Sequence, residues 1–439
     1  MTAHLNADEL EALAKREILS PEAGAHFAQC QVCQGRLRET YPGAGPKILQ
    51  NLSEVLKQVK GLDGEDLEGQ MRNSARQASF VESRIRSLLT GGDFDTSELD
   101  EFPAVMIGAA LIRVSPDYRL INMKGILRIC LYLIEPLRDS DFLQYGQAAS
   151  DLLAQIEIEA ANSYRNLGPQ YQAPSFVLTA LNRVRPSTDL RVKATVLWLA
   201  ALYYRDARDF GSAEKLARFA ESAFTSLGCL EEVQAIRLLL AVSSFMQGDL
   251  EEAESRVQKV LAVKPQAVAT ELGAVQLRAR ILVLEGHYFA AGRLLPRLRE
   301  LASAFGDCPA IEANLTWLRA RILGSTGSPT RAVELLVPVF SYFESEGIAF
   351  DAALAASDLA FFLLRAGSHR EAAATAQSAL KALEAEGLGY PESFAALKTL
   401  SEAIQGGTAT SRLYRTLARR IELSRYNASL VRLPSDGVT

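Results

Sequence analysis

Three residues near the start of the chain could bind a metal ion. His26, Cys30 and Cys33 lie within eight residues of one another, and imidazole nitrogen and thiolate sulfur are ligands that zinc prefers. Ser20 followed by Pro21 predicts the start of a helix. On that helix His26 and Cys30 share one face because they are four residues apart, and Cys33 follows one turn later. The three side chains are therefore expected to converge.

A closed structural zinc site needs a fourth ligand. His4 is the one other histidine or cysteine before residue 130. A first helix from about Ala7 to Glu17 would fold back as a hairpin and bring His4 to the open position. A module of about 40 residues has little core, so a bound metal is a plausible source of its stability. We therefore predict one Zn²⁺, bound by His4 and the three converging ligands, His26, Cys30 and Cys33.

Two other readings of this segment are less favourable. A Cys-x2-Cys redox pair usually follows a strand of a βαβ unit, and the sequence shows no strand pattern here. A DNA-reading zinc finger has a different ligand spacing and needs basic residues, whereas residues 1–40 hold more acidic than basic side chains.

The motif resembles that of the zinc-binding anti-sigma domain, a zinc-finger family marked by an upstream histidine or cysteine followed by His-x3-Cys-x2-Cys. The resemblance covers the first 40 to 90 residues. It implies a module that binds an extracytoplasmic-function-type sigma factor and blocks the contacts of that factor with RNA polymerase or promoter. In some members cysteine oxidation releases zinc and the sigma factor, so zinc at Cys30 and Cys33 is either structural or redox-sensitive.

The middle of the chain repeats with a period of about 40 residues. Each unit has an alanine near the end of an apolar helical stretch, then a turn, then a second alanine twelve residues after the first. The first alanines are Ala161, Ala201, Ala241, Ala279, Ala320 and Ala360, and the second are Ala173, Ala213, Ala253, Ala291, Ala332 and Ala372. Small residues let paired helices approach closely, and a glycine in the turn tolerates a left-handed backbone. Each unit is therefore predicted to be a helical hairpin.

These units resemble tetratricopeptide repeats, most clearly over residues 232–265, where Ala241, Gly248-Asp-Leu, Ala253 and Pro265 occupy the family's positions. The resemblance covers roughly residues 145–405. The period exceeds the family's 34 residues, so a HEAT-like repeat remains an alternative. The resemblance implies a right-handed solenoid whose concave surface binds protein segments.

The predicted fold is all-α: a small zinc-stapled helical N-terminal module, followed by a right-handed α-solenoid of tetratricopeptide-like helical hairpins. We expect five parts, which are a zinc module at 1–40, a helical connector at 41–96, degenerate capping helices at 97–144, the repeats at 145–405, and a basic helix and tail at 406–439.

The C-terminal segment from Ser411 to Arg432 carries six arginines and one glutamate, with Leu413, Leu417 and Ile421 at helical spacing. Such a basic amphipathic helix could contact an acidic protein or nucleic acid. The favoured interpretation is that its apolar stripe packs on the last repeat while its arginines are solvated.

The sequence contains few residues in arrangements typical of catalytic sites. His287 and His369 occupy equivalent turns of two repeats, and Cys130, Cys229 and Cys308 have no histidine close by in the sequence. Cys130 lies in an apolar helix, as a small core residue would. We therefore expect no enzyme, and no catalytic or cofactor-binding residues besides the zinc ligands.

The net charge of −5 argues against general binding to phosphate backbones, so nucleic acid is an unlikely partner except through the C-terminal arginines. The start lacks the features of a secretory signal, and the apolar stretches at 105–114 and 126–134 are too short to cross a bilayer. The expectation is a cytoplasmic protein without membrane contact.

Two functions follow from these observations. The first is an anti-sigma-type transcriptional regulator that sequesters a sigma factor through the zinc module while the repeats bind a second protein. The alternative is a general interaction scaffold in which the zinc module is a structural cap and the repeats bind a client such as a protease or signalling protein.

Overall fold

A computed structural model of the chain describes residues 64–90, 96–119, 122–138, 146–167, 173–263, 267–385 and 391–423. All regular structure within these ranges is helical, which confirms the predicted all-α class. The chain divides into two units, Met1–Phe80 and Val81–Thr439. The predicted domain boundaries remain predictions.

The helices are numbered in chain order. They are α1 (Gly64–Thr90), α2 (Ala104–Tyr118), α3 (Met123–Arg138), α4 (Gln147–Leu167), α5 (Ala173–Val184), α6 (Leu190–Asp206), α7 (Phe210–Ser226), α8 (Leu230–Met246), α9 (Leu250–Ala262), α10 (Val268–Leu284), α11 (Tyr288–Gly292), α12 (Leu295–Ser303), α13 (Pro309–Ser325), α14 (Pro329–Ser345), α15 (Ala349–Arg365), α16 (His369–Ala385), α17 (Pro391–Gln405) and α18 (Ser411–Leu423), with a short 3₁₀ helix at Thr96–Leu99. None of the helices in these ranges is long and apolar enough to span a bilayer.

From α4 onward, most helices that follow each other in the chain pack against each other, as in a tetratricopeptide-like solenoid. The hairpins are α4 with α5, α6 with α7, α8 with α9, α10 with α11 and α12, α13 with α14, and α15 with α16. We call the first member of each pair a first helix and the other a second helix. The predicted helical hairpins are therefore present.

The alanine pairs lie where the two helices of a hairpin meet. All twelve alanines are buried, and none is more than 1% exposed. A larger side chain at these positions would push the paired helices apart, because protein interiors have few voids to absorb extra volume. The regular spacing of the alanines therefore results from the close packing of the two helices in each hairpin.

In the hairpins from α6 onward, the turn uses a left-handed residue after the first helix. Gly248 has φ 86° and Gly327 has φ 109°, so the turn at Gly327 has the same handedness although its sequence departs from the repeat pattern. Arg208 adopts φ 61° without being a glycine. A side chain at positive φ is strained, and the contact that accompanies this one is described below.

Helices α1 to α3 pack with α4 in a separate hydrophobic core. Its members are Val81, Ile85, Leu88, Leu89, Leu99, Ile107, Ala110, Leu111, Val114, Ile126, Ile129, Cys130, Leu133, Ile134, Leu137, Leu153, Ile156 and Ala160. Cys130 is fully buried within it, in agreement with its interpretation as a small core residue. These helices share this core with Leu153, Ile156 and Ala160 of α4, and their role as a cap on the repeats remains a prediction.

Candidate functional site

Helix α18 lies across several hairpins. At its end, the Leu423 carbonyl accepts a hydrogen bond of 2.6 Å from Arg208 in the turn after α6. Glu422 forms ion pairs with Arg280 of α10 and Arg321 of α13. Towards its start, Tyr414 contacts α15, where its hydroxyl donates to Asp358. The helix therefore extends well beyond the last repeat, on which the sequence alone would place it.

Glu422 is the centre of a buried charge network. Its carboxylate accepts from Arg280 Nε at 2.8 Å and from Arg321 Nη1 at 2.8 Å. Glu422 is 4% exposed and Arg321 is 7% exposed. Burial alone would raise the pKa of Glu422, but the two guanidinium groups lower it to about 2. Glu422 is therefore ionised at neutral pH.

Arg321 connects this carboxylate to a second one. Its Nε lies 3.4 Å from Asp358 Oδ2, an ion-pair contact in which Nε makes no hydrogen bond. Burial would lower the pKa of Arg321, but Glu422 and Asp358 hold it well above its usual value. Burial has the larger effect on Asp358 and raises the pKa of that carboxyl, against the influence of Arg321.

Aromatic side chains complete the network around Asp358. Tyr414 donates to Asp358 Oδ1 at 2.6 Å, and Trp317 Nε1 donates to Oδ2 at 2.7 Å. The Tyr414 ring stacks on Phe361, with 3.8 Å between centroids and an interplanar angle of 2°. The hydrogen bonds of the Tyr414 hydroxyl and of Trp317 Nε1 to Asp358 offset part of the desolvation of these buried groups.

A cavity of about 50 Å³ lies between the first helices α10, α13 and α15, next to Glu422. Its lining combines polar and apolar groups: Gln276, Arg280, Asn314, Trp317, Leu318, Arg321, Phe350, Asp351, Leu354 and Glu422. Such a space can hold several waters or one small side chain. We call the surface formed by these first helices and α18 the first-helix face.

The outer side of α18 is basic. Arg412, Arg415, Arg419 and Arg420 are all exposed, whereas Tyr414, Leu417, Ala418, Ile421 and Glu422 on the other side are buried. The prediction of an apolar stripe under solvated arginines is therefore correct in outline. Sequence reasoning missed Tyr414 and Glu422, although a lone glutamate among arginines on an amphipathic helix was a usable signal.

The predicted zinc ligands His4, His26, Cys30 and Cys33 lie outside the described residues, so the zinc site remains a prediction. Elsewhere, within the ranges that the structure describes, no group of three or more histidine, cysteine, aspartate or glutamate residues could hold a metal ion.

The remaining histidines and cysteines lie at structural positions. His287 precedes α11 and His369 begins α16, so both lie in the turns that the repeat spacing predicts. Cys229 and Cys308 are buried cysteines that form no disulfide within the described residues, and they precede α8 and α13. Burial raises the pKa of the Cys229 thiol despite the nearby Arg191, so this residue lacks the stabilised thiolate of a nucleophile.

This chain resembles known proteins in its structure rather than in its sequence. No protein-family model matches the sequence, and no curated protein matches it. The fold is similar to that of a Rap protein solved in complex with Competence and Sporulation Factor, with a TM-score of 0.50 and 12% sequence identity. The likeness covers 78% of this chain and 85% of the Rap chain. It shows the helical-repeat fold.

Proposed function

We propose that this chain is a non-catalytic interaction scaffold whose first-helix face binds a segment of a partner protein. The observation that carries the proposal is the cavity between α10, α13 and α15, which places polar and apolar groups from three successive repeats around one opening. Repeat stacks commonly use such a continuous surface for binding. This is the general scaffold of the two functions considered from the sequence.

The chemistry of the lining fits a polypeptide. Gln276 and Asn314 offer amide groups that can pair with a peptide backbone, although Asn314 Nδ2 also donates to the Ala310 carbonyl at 2.8 Å. The partly buried Trp317 offers apolar surface for a side chain. The similar Rap structure contains a bound factor, Competence and Sporulation Factor, so a stack of this architecture can hold a partner. A bound protein segment would enter the cavity beside Glu422.

Co-purification with paired variants tests the proposal. The double variant Q276A/N314A changes two amides at the cavity, and the control Q258A/N182A changes two exposed amides on second helices. Proteins that copurify with the native chain should be lost from the first variant and retained by the control. A set of partners retained equally by both variants would contradict binding at this face.

The zinc motif supports a finer candidate function, in which residues 1–40 bind a sigma factor while the repeats bind a second protein. This candidate rests on the sequence motif His26-x3-Cys30-x2-Cys33 and on its resemblance to anti-sigma domains. Co-purification of the native chain with a sigma factor would support it, and deletion of residues 1–40 should abolish that interaction. Sigma binding that survives the deletion would rule it out.

A further inference from the structure

The exposed side of α18 carries an unusual set of charges. Arg412, Arg415, Arg419 and Arg420, which we call the arginine row, are exposed. Among the residues that the structure describes, no carboxylate lies within ion-pair distance of any of the four. Exposed arginines on second helices are often paired, as Arg218 is with Glu214 at 2.6 Å. Within the described part of the chain, the row is therefore a basic surface without ion-pair partners.

The position of this row is fixed by the opposite side of the helix. Tyr414 is 4% exposed and Ile421 is 1% exposed, and both belong to the hydrophobic core that α18 shares with α15 and α17. The buried ion pairs of Glu422 fix the far end of the helix. Because α18 rises about 1.5 Å per residue, the row extends for about 12 Å along a rigid support.

Arginine is suited to carboxylate partners. Its guanidinium remains charged at all ordinary pH values and presents a planar pair of donors to a carboxylate. Like charges at spacings of three and four residues repel each other on a helix, so the row carries a small cost within this chain. A carboxylate-bearing partner would remove that repulsion.

We propose that the arginine row binds an acidic segment of a partner protein. The inference rests on the proposed scaffold function and names the chemistry of the partner. About 12 Å matches roughly four residues of an extended peptide, which rises about 3.3 Å per residue. A segment with glutamate or aspartate at closely spaced positions can therefore pair with several of these arginines at once.

A polypeptide fits this surface better than a nucleic acid does. Tight binding to a duplex is built from about six to ten phosphate contacts, whereas the row supplies four arginines on one short helix. The whole chain has a net charge of −5, which repels a long polyanion. A short acidic segment meets the basic surface without approaching the rest of the acidic protein.

Peptide titration of the full chain tests the inference. The probe is a fluorescein-labelled peptide of alternating glutamate and serine, and the readout is fluorescence anisotropy at about 0.1 M salt, where the screening length is about 10 Å. The variant R412Q/R415Q/R419Q removes charge while keeping good helix formers. It should weaken peptide binding by about tenfold or more, because several charge-assisted contacts are lost. Circular dichroism should show unchanged helix content.

The control is R293Q/R299Q/R370Q, which removes the same charge from three exposed arginines outside α18. It should change the dissociation constant by less than about twofold, since exposed charges more than about 10 Å apart are largely screened. Equal losses in both variants, or no binding to the native chain, would overturn the inference. A single-stranded DNA of the same charge that binds the native chain more tightly than the peptide would overturn the choice of a polypeptide partner.

The two proposals can fail separately. Copurifying partners that are lost from Q276A/N314A but kept by the arginine-row variant would leave the scaffold in place and exclude the acidic docking surface. Partners lost from the arginine-row variant and kept by both its control and Q276A/N314A would support the arginine row and exclude the cavity as the binding site.

Discussion

Glu422 and Arg321 are 101 residues apart in the chain, yet the Glu422 carboxylate accepts a 2.8 Å hydrogen bond from Arg321 Nη1 in a buried environment. The same carboxylate also pairs with Arg280. This contact links the C-terminal helix to the middle of the repeat stack. Because both partners of the pair are buried, loss of Glu422 leaves the Arg321 guanidinium with Asp358 as its remaining ion-pair partner in a low-dielectric environment.

The variant E422Q should lower the free energy of unfolding by about 3 kcal/mol, since removing one member of a buried ion pair costs about that much. Urea unfolding followed by circular dichroism measures the change. The control is E346Q, which removes the exposed ion pair between Glu346 and Lys124. An exposed pair contributes about 0–1 kcal/mol. Equal effects of the two variants would contradict a stabilising role for the Glu422 network.

The free energy of unfolding should also depend on pH through the titration of Glu422. Its folded pKa of about 2 is below the ordinary value of 4.5, so the unfolded chain binds the proton more tightly. The contribution of Glu422 is therefore complete above the unfolded pKa and is lost as the pH falls towards the folded pKa. Between neutral pH and pH 3 the loss is about 2 kcal/mol.

The measurement compares the native chain with E422Q in urea at both pH values. The difference in free energy of unfolding between the native chain and E422Q should shrink at low pH by at most that amount. Asp358 has a raised pKa, to which Glu422 contributes, so its protonation acts in the opposite direction and does so more strongly in the native chain than in E422Q. A difference that is independent of pH would show that Glu422 does not titrate as expected.

The hydroxyl of Tyr414 should contribute separately from its ring. The variant Y414F removes the donor to Asp358 but keeps the stack on Phe361. Leaving a buried acceptor with one partner fewer costs about 1–3 kcal/mol. The matched control is Y132F, which removes a 2.6 Å hydrogen bond to Asp100 at the surface and should cost less than about 0.5 kcal/mol. Thermal unfolding distinguishes the two, and equal losses would contradict the role of the buried hydroxyl.

The hairpins could be predicted from the sequence because their signal is local. An alanine such as Ala241, the turn glycine Gly248 and the second alanine Ala253 lie within one unit, and their spacing reports the close approach of two adjacent helices. The docking of α18 could not be predicted in this way. The partners of Glu422 lie 101 and 142 residues away, and no local spacing connects an arginine on α10 with a glutamate on α18.

Arg208 is another residue whose contact with α18 could not be predicted from the local sequence. Its place in the turn was evident from the repeat pattern, but the residue adopts a left-handed conformation that glycine tolerates better. The guanidinium of Arg208 donates to the Leu423 carbonyl near the end of α18. The non-glycine residue at this turn therefore makes a contact that depends on the distant C-terminal helix.

Gly324 in α13 lies directly against Phe362 of the next first helix, α15. A Cβ at this position would overlap the ring of Phe362 on α15. The variant G324A should therefore lower the free energy of unfolding by about 1–3 kcal/mol through overpacking. In the control G211A the nearest side-chain atom to the new Cβ is 3.8 Å away, and alanine is the better helix former by about 0.5–1 kcal/mol. Urea midpoints that fall equally in both variants would contradict the close approach.

Zinc binding should depend on Cys30 and Cys33. Thiolates of Cys30 and Cys33 are two of the four predicted ligands, and a structural zinc ion is lost when its thiolate ligands are removed. The variant C30S/C33S should therefore purify without zinc, whereas the native chain should contain one zinc ion per molecule by elemental analysis. The control H287A changes an exposed histidine in a repeat turn and should retain the metal. Zinc that remains stoichiometric in C30S/C33S would show that the metal is bound by other residues.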